Sequence, residues 1–227
     1  MKKPLEPGTE NSTPQHHIEA KEHLWNRHGL DDVYFQRDTF VTYLSILGGV
    51  SVGVLLTQFL PLIEQLKLSR WHLILYFVAS LLLMISTWVM VSWLALTLKM
   101  QLRFHIVIPQ FIQQFSLCVI CLLVTNPAGW LAASSAFLFF TLISNLIYFK
   151  TGQWDDWPLN VNKATSINQW VYLFWMLLAL AASIHLHFFP SNTNEMIWGI
   201  VALAGSILTI IKQHNDIEAE RKTFRIP

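Results

Sequence analysis

The sequence predicts an all-α, polytopic integral membrane protein of six transmembrane helices, and three observations carry that prediction. Apolar residues make up 53% of the 227-residue chain and charged residues 13%, with a mean hydropathy of +0.43. Soluble domains carry about 25% charge. The apolar residues gather in long charge-free runs. Thirteen of the fifteen Lys and Arg residues fall on one side once those runs are threaded as alternating spans.

A hydrocarbon core of ~30 Å takes ~20 helical residues at ~1.5 Å rise each, and any backbone group left unbonded in lipid is costly. The first run, 39–60, meets that length. It is longer than the apolar core of a secretory signal and no small-residue cleavage site follows it, so it reads as a retained span. Residues 72–96 give the second. From 104 to 149 no charge interrupts the chain, which is too much for one crossing. The run divides at Asn126-Pro127-Ala128-Gly129, where Pro and Gly break a helix and Asn suits a turn. Spans three and four are then 104–125 and 130–149. The fifth, 170–189, stops at Pro190, and the sixth, 194–211, sits near the short limit for a crossing. Trp71, Trp130, Trp170 and Trp198, with Tyr148 and Tyr172, fall near span ends, where amphipathic rings prefer the headgroup level.

Six spans put both termini on one side. That side collects Lys2, Lys3, Lys21, Arg27, Arg37, Lys99, Arg103, Lys150, Lys163, Lys212, Arg221, Lys222 and Arg225, and only Lys67 and Arg70 lie opposite. The positive-inside bias makes both termini cytoplasmic, in a plasma or bacterial inner membrane. Acidic residues follow, with Glu64 and Glu195 alone outside, so the exterior is three short turns. A net charge of +1 argues against nucleic acid as a partner.

The cytoplasmic tail, 1–38, opens with a Pro-, Gly- and Ser/Thr-containing stretch whose composition cannot bury a core. From about residue 16 a short interfacial helix is expected. Ile18 and Trp25 share a face, Gly29 suits a C-cap, and Asp31 or Asp32 can cap a turn carrying Val33, Tyr34 and Phe35. His16, Glu19 and His23 also share a face, but a three-ligand site needs a rigid scaffold, and a solvated polar face is the preferred reading, with no metal expected. Between spans four and five, Trp154-Asp155-Asp156-Trp157 either docks a partner or lies with its rings at the interface. The C-terminal tail, 212–227, mixes charge signs and suits an exposed helical extension.

Within the spans, Ser45, Gly49 and Gly53 recur every four residues. Small side chains let helix backbones approach, so this stripe is the candidate helix-packing or oligomer interface. Gln110, Gln113 and Gln114 share a face of span three beyond Pro109, which either kinks that helix or lies in its first turn. With a helix start at Phe104, Gln113 lies ~13 Å in and Thr141 of span four lies at a similar ~12 Å. These amides with Thr141 and Asn145 either line a permeation path or bond between helices. Cys118-x-x-Cys121 has dithiol spacing, but the context favours two small apolar residues. His72 with His185 could ligate haem at similar depth, although histidines at headgroup level need no cofactor, and none is predicted.

No catalytic motif stands above background. Three classes remain in order: an oligomeric pore or permeation protein for ions or small solutes, a membrane anchor recruiting a cytoplasmic partner, and a membrane redox (haem) protein. The scarcity of intramembrane carboxylates disfavours a proton-coupled transporter and leaves a passive pore open. Besides the lipid bilayer, a homo-oligomer or a larger membrane complex is the expected assembly.

Overall fold

A computed structural model describes residues 30–97, 104–150 and 159–224. Every element in them is an α-helix: α1 Leu30–Thr57, α2 Phe59–Lys67, α3 Leu73–Thr97, α4 Phe104–Leu122, α5 Pro127–Lys150, α6 Leu159–Phe188 and α7 Asn192–Phe224. Four segments, Thr42–Lys67, Pro127–Ser144, Gln169–Phe188 and Asn192–Asn215, are long and apolar enough to cross a membrane. Two shorter apolar stretches are Leu73–Val89 and Ile108–Leu122. The interfacial helix expected from about residue 16, the His16, Glu19 and His23 triplet and the Trp154–Trp157 segment lie outside the described residues.

Helix boundaries differ from the sequence expectation wherever a cap or a proline decides them. The helix of the first span begins at Leu30, ahead of residue 39, and ends at Thr57. Pro61 has no N–H to offer the Thr57 carbonyl and its ring would collide there, so the ladder stops and restarts as α2. Residues 61–67, expected as loop, are therefore helical. A left-handed cap ends α2: Ser69 takes φ 66°, its N–H bonds Leu66 O at 3.1 Å and the Arg70 N–H bonds Gln65 O at 3.3 Å.

The break between spans three and four, now α4 and α5, comes three residues earlier on each side than expected. Pro127 opens α5, where a missing N–H costs nothing, and Asn126 Oδ1 caps it by accepting from the Gly129 N–H at 3.2 Å. Pro109 sits inside α4, which starts at Phe104. Helix α6 begins at Leu159 rather than near residue 170, since nothing from 159 to 167 is Pro or Gly. Helix α7 carries the sixth span on to Phe224 as the helical extension expected of the C-terminal tail, and Ser191 Oγ caps its start by accepting from the Asn194 N–H at 3.1 Å.

The turns before α3, α5 and α7 gather at one end of the bundle, called here the turn end. There Ser183 of α6 donates to Ala128 O of α5 at 2.8 Å. The core runs through Leu55, Leu73, Tyr76, Leu117, Ile120, Val124 and Trp130. Helix α5 lies between α4 and α6, α1 rests on α3 and α4, and α7 rests mainly on α3. Helices α6 and α7 are joined only through Phe189, Pro190 and Ser191, yet they diverge. A cleft of about 430 Å³ lies between them.

Candidate functional site

The densest polar chemistry is at the turn end. The cap at Ser69 delivers Arg70, and α3 begins three residues later at Leu73, which sets His72 just ahead of that helix and close to Arg70. Both converge on Glu195 in the first turn of α7: Arg70 Nη2 and His72 Nε2 each lie 2.7 Å from Glu195 Oε2. A carboxylate only accepts, so Nε2 of His72 carries the proton. Arg70 Nη1 also donates to Gln65 Oε1 at 3.1 Å. One turn along α3, the Tyr76 hydroxyl donates to Glu195 O at 2.7 Å.

The chain of bonds then crosses to α5. The Trp130 indole N–H donates to Ser80 Oγ at 2.8 Å, and Ser80 donates to Tyr76 O at 2.8 Å. The Trp130 ring meets Tyr76 edge-on with centroids 5.4 Å apart. Three helices are thus tied by one sequence of hydrogen bonds. Trp130 was expected among headgroup-level rings, but it is 2% exposed and part of the core, because its N–H finds a buried acceptor. Trp71 and Trp170, at 57% and 71% exposed, do face outward.

His72 and His185 are each engaged. His185 Nδ1 accepts the Trp198 indole N–H at 3.1 Å. An iron on His72 Nε2 would displace the Glu195 carboxylate, and two cationic or N–H donors already share that carboxylate, the reverse of what a cation site needs. Among the described residues no group of three or more His, Cys, Asp and Glu is placed to hold a metal ion.

The polar stripe of α4 divides between neighbours. Gln113 Nε2 donates to Thr141 Oγ1 at 2.8 Å, and Thr141 donates to Phe137 O, so the matched depths read from the sequence do meet in an interhelical bond. Gln110 and Gln114 are buried at 7% and 4% exposure. Asn145 lies on α5, with its side chain outside the described set. The cysteines part company: Cys118 Sγ is 3.0 Å from Ser51 Oγ on α1, while Cys121 Sγ is 3.4 Å from Met84 Sδ on α3.

The small-residue stripe faces outward. Ser45, Gly49 and Gly53 are exposed, and a Cβ added at Gly48, Gly49 or Gly53 would meet nothing within 4 Å. Beside it is a second cleft of about 330 Å³, bordered by Ser45, Gly48 and Gly49 of α1, Thr87 and Trp88 of α3, and Gln114 of α4. Sequence reasoning found the stripe and Gln114 but not their meeting. It also missed the Glu195 cluster, although Arg70, His72 and Glu195 all stand at the same end of their runs.

Comparison with known protein families, with curated proteins and with solved structures finds no match for this chain.

Proposed function

We propose that the chain is a six-span protein of a plasma or inner membrane, both termini cytoplasmic, that assembles with copies of itself through α1 and provides a path for ions or small solutes along that face. The observation that carries the reading is the cleft where Ser45, Thr87 and the buried Gln114 border the glycines of α1. Glycine there lets a second helix approach to backbone distance. Copies meeting on this face would enclose the cleft between them, with its amide and hydroxyls as the polar lining. The Gln113–Thr141 pair serves as a bond between helices, which moves the candidate path from the α4–α5 hairpin to the α1 face. Purified oligomer in a planar bilayer is expected to conduct, with the current altered by Gln114→Leu and lost with the oligomer in Gly49→Leu. A silent bilayer from intact oligomer overturns the pore.

A second reading, a membrane anchor for a cytoplasmic partner, draws support from α7, which continues as helix to Phe224 past the apolar segment that ends at Asn215. Truncation after Asn215 should then release the partner while the bundle still inserts.

A further inference from the structure

The cleft between α6 and α7 shares no lining residue with the cleft at the α1 face. Its walls are Trp175 and Ala179 of α6 and Ala202 and Gly205 of α7, over a floor that includes Ser134 and Phe137 of α5. From Trp198 to Lys212 it runs along α7 for ~21 Å, at ~1.5 Å per residue, more than the ~15 Å of one lipid leaflet's hydrocarbon. Its volume of about 430 Å³ falls in the range of ligand sites, ~300–1,000 Å³.

The two ends of this cleft differ. Toward the turn end it is closed by the rings of Trp130 and Trp198. The opposite end is bordered by Lys212, Gln213 and Asn215. Ser86 of α3 donates to Gln213 Oε1 at 2.6 Å, which leaves the two N–H donors of that amide for other partners. Lys212 has an interaction of its own within the protein, and since an ammonium carries three N–H donors, it and the amide NH₂ together suit an anion at this mouth.

Midway, one buried hydroxyl is unpaired. Ser206 and Thr209, which also border the cleft, bond the carbonyls of Ala202 and Gly205 on their own helix. Ser134 is 6% exposed and its Oγ has no partner, a condition shared among the described residues only with Tyr43 and Ser144, neither of which borders this cleft. Buried hydroxyls in helices find an acceptor as a rule. A turn about the Cα–Cβ bond of Ser134 would offer its hydroxyl to an ester oxygen of an occupant.

We infer that this cleft is a binding site for an anionic membrane phospholipid, one acyl chain lying between α6 and α7 and the phosphate at Lys212 and Gln213. The medium around apolar helices supplies such chains, and the donors at one mouth select the charge. A second copy of this chain is the competing occupant.

The test uses full-length protein in vesicles of anionic and zwitterionic phospholipid, with a trace of anionic phospholipid carrying a diazirine near the end of its acyl chain. Irradiation and peptide mapping should place adducts on Trp175, Ala179 and Ala202, and excess unlabelled anionic lipid should remove them where zwitterionic lipid does not. Lys212→Glu should weaken labelling about fivefold or more, the effect of one basic residue at an anionic lipid surface. Ala202→Phe should abolish labelling in the cleft. A thermal unfolding scan of each variant identifies misfolded protein, and Ala179→Phe is the alternative filler should Ala202→Phe not fold. Adducts spread evenly over outward residues such as Phe139, or equal competition by both lipids, reduce the cleft to ordinary lipid contact and overturn the site. Cross-links between two copies through this cleft overturn it as well.

Discussion

Helix α7 has two neighbours, and its two contacts are made in opposite ways. Against α3 it is tied by Glu195 to Arg70 and His72 and by the Tyr76 hydroxyl, and Gly199 lets α3 come close. A Cβ at Gly199 would meet Leu75 Cδ1 and Tyr76 Cε2 at 3.1 Å. Against α6 it is joined near the turn end by the Trp198 indole N–H on His185 Nδ1, and beyond that bond a cleft opens, crossed by the Trp175 ring, whose edge would lie 3.2 Å from a Cβ at Gly205. The helix nearest in sequence is therefore the one held more loosely. Where lipid removes the hydrophobic incentive for helices to associate, hydrogen bonds and close backbone approach choose the partner.

Breaking the tight side should have the largest effect. Glu195→Ala leaves the nearly buried His72 and the Arg70 guanidinium without their shared carboxylate, and is expected to cost about 2–3 kcal/mol, read as a lowered unfolding temperature in detergent. An unchanged melting point would mean that the α3–α7 seam rests on packing alone. Alanine at the two glycines compares the sides directly. Gly199→Ala presses on the Leu75 side chain and the Tyr76 ring, which Glu195 O and Trp130 hold in place, and should cost about 1–3 kcal/mol. Gly205→Ala meets only the edge of a ring beside open space, so its cost should stay under about 1 kcal/mol, and equal losses in the two variants would erase the contrast drawn here. The smallest effect is a gain. Ser69→Gly relieves the left-handed conformation and should stabilise by up to about 1 kcal/mol, measured by the same melt, provided Arg70 keeps its place on Glu195.

Much of the helical pattern was legible because charge is absent from long runs, and in lipid a continuous apolar run of ~20 residues satisfies its own backbone groups only as a helix. The ends were less legible. Pro127 looked like a turn residue and is the first residue of a helix, while Pro61 ends one helix by acting on Thr57 four residues back. Both outcomes depend on which backbone groups need a partner: Asn126 caps the helix that Pro127 opens, whereas Gln58 makes no side-chain cap bond ahead of Pro61. The bond between Gln113 and Thr141 was foreseeable from matched depth in a hairpin, where the turn fixes the register. No such register links His72 to Glu195, which are 123 residues apart in the chain. Only the shared end of their helices hinted at the pairing. For the glycine stripe the sequence defined a face without saying what it faces, since small side chains serve neighbours inside and outside a subunit equally well.

Helix α7 is unbroken over its 33 residues, which at ~1.5 Å per residue is a rod of ~50 Å, against ~30 Å of hydrocarbon. Its Glu195 end is pinned, its flank toward α6 stands open, and its far end reaches past Asn215 to Phe224. That is the geometry of a lever with its fulcrum at the turn end. A tilt of α7 about that pinned end would move Phe224 about three times as far as Gly205, in proportion to their distances of ~43 Å and ~15 Å from Glu195 at ~1.5 Å per residue.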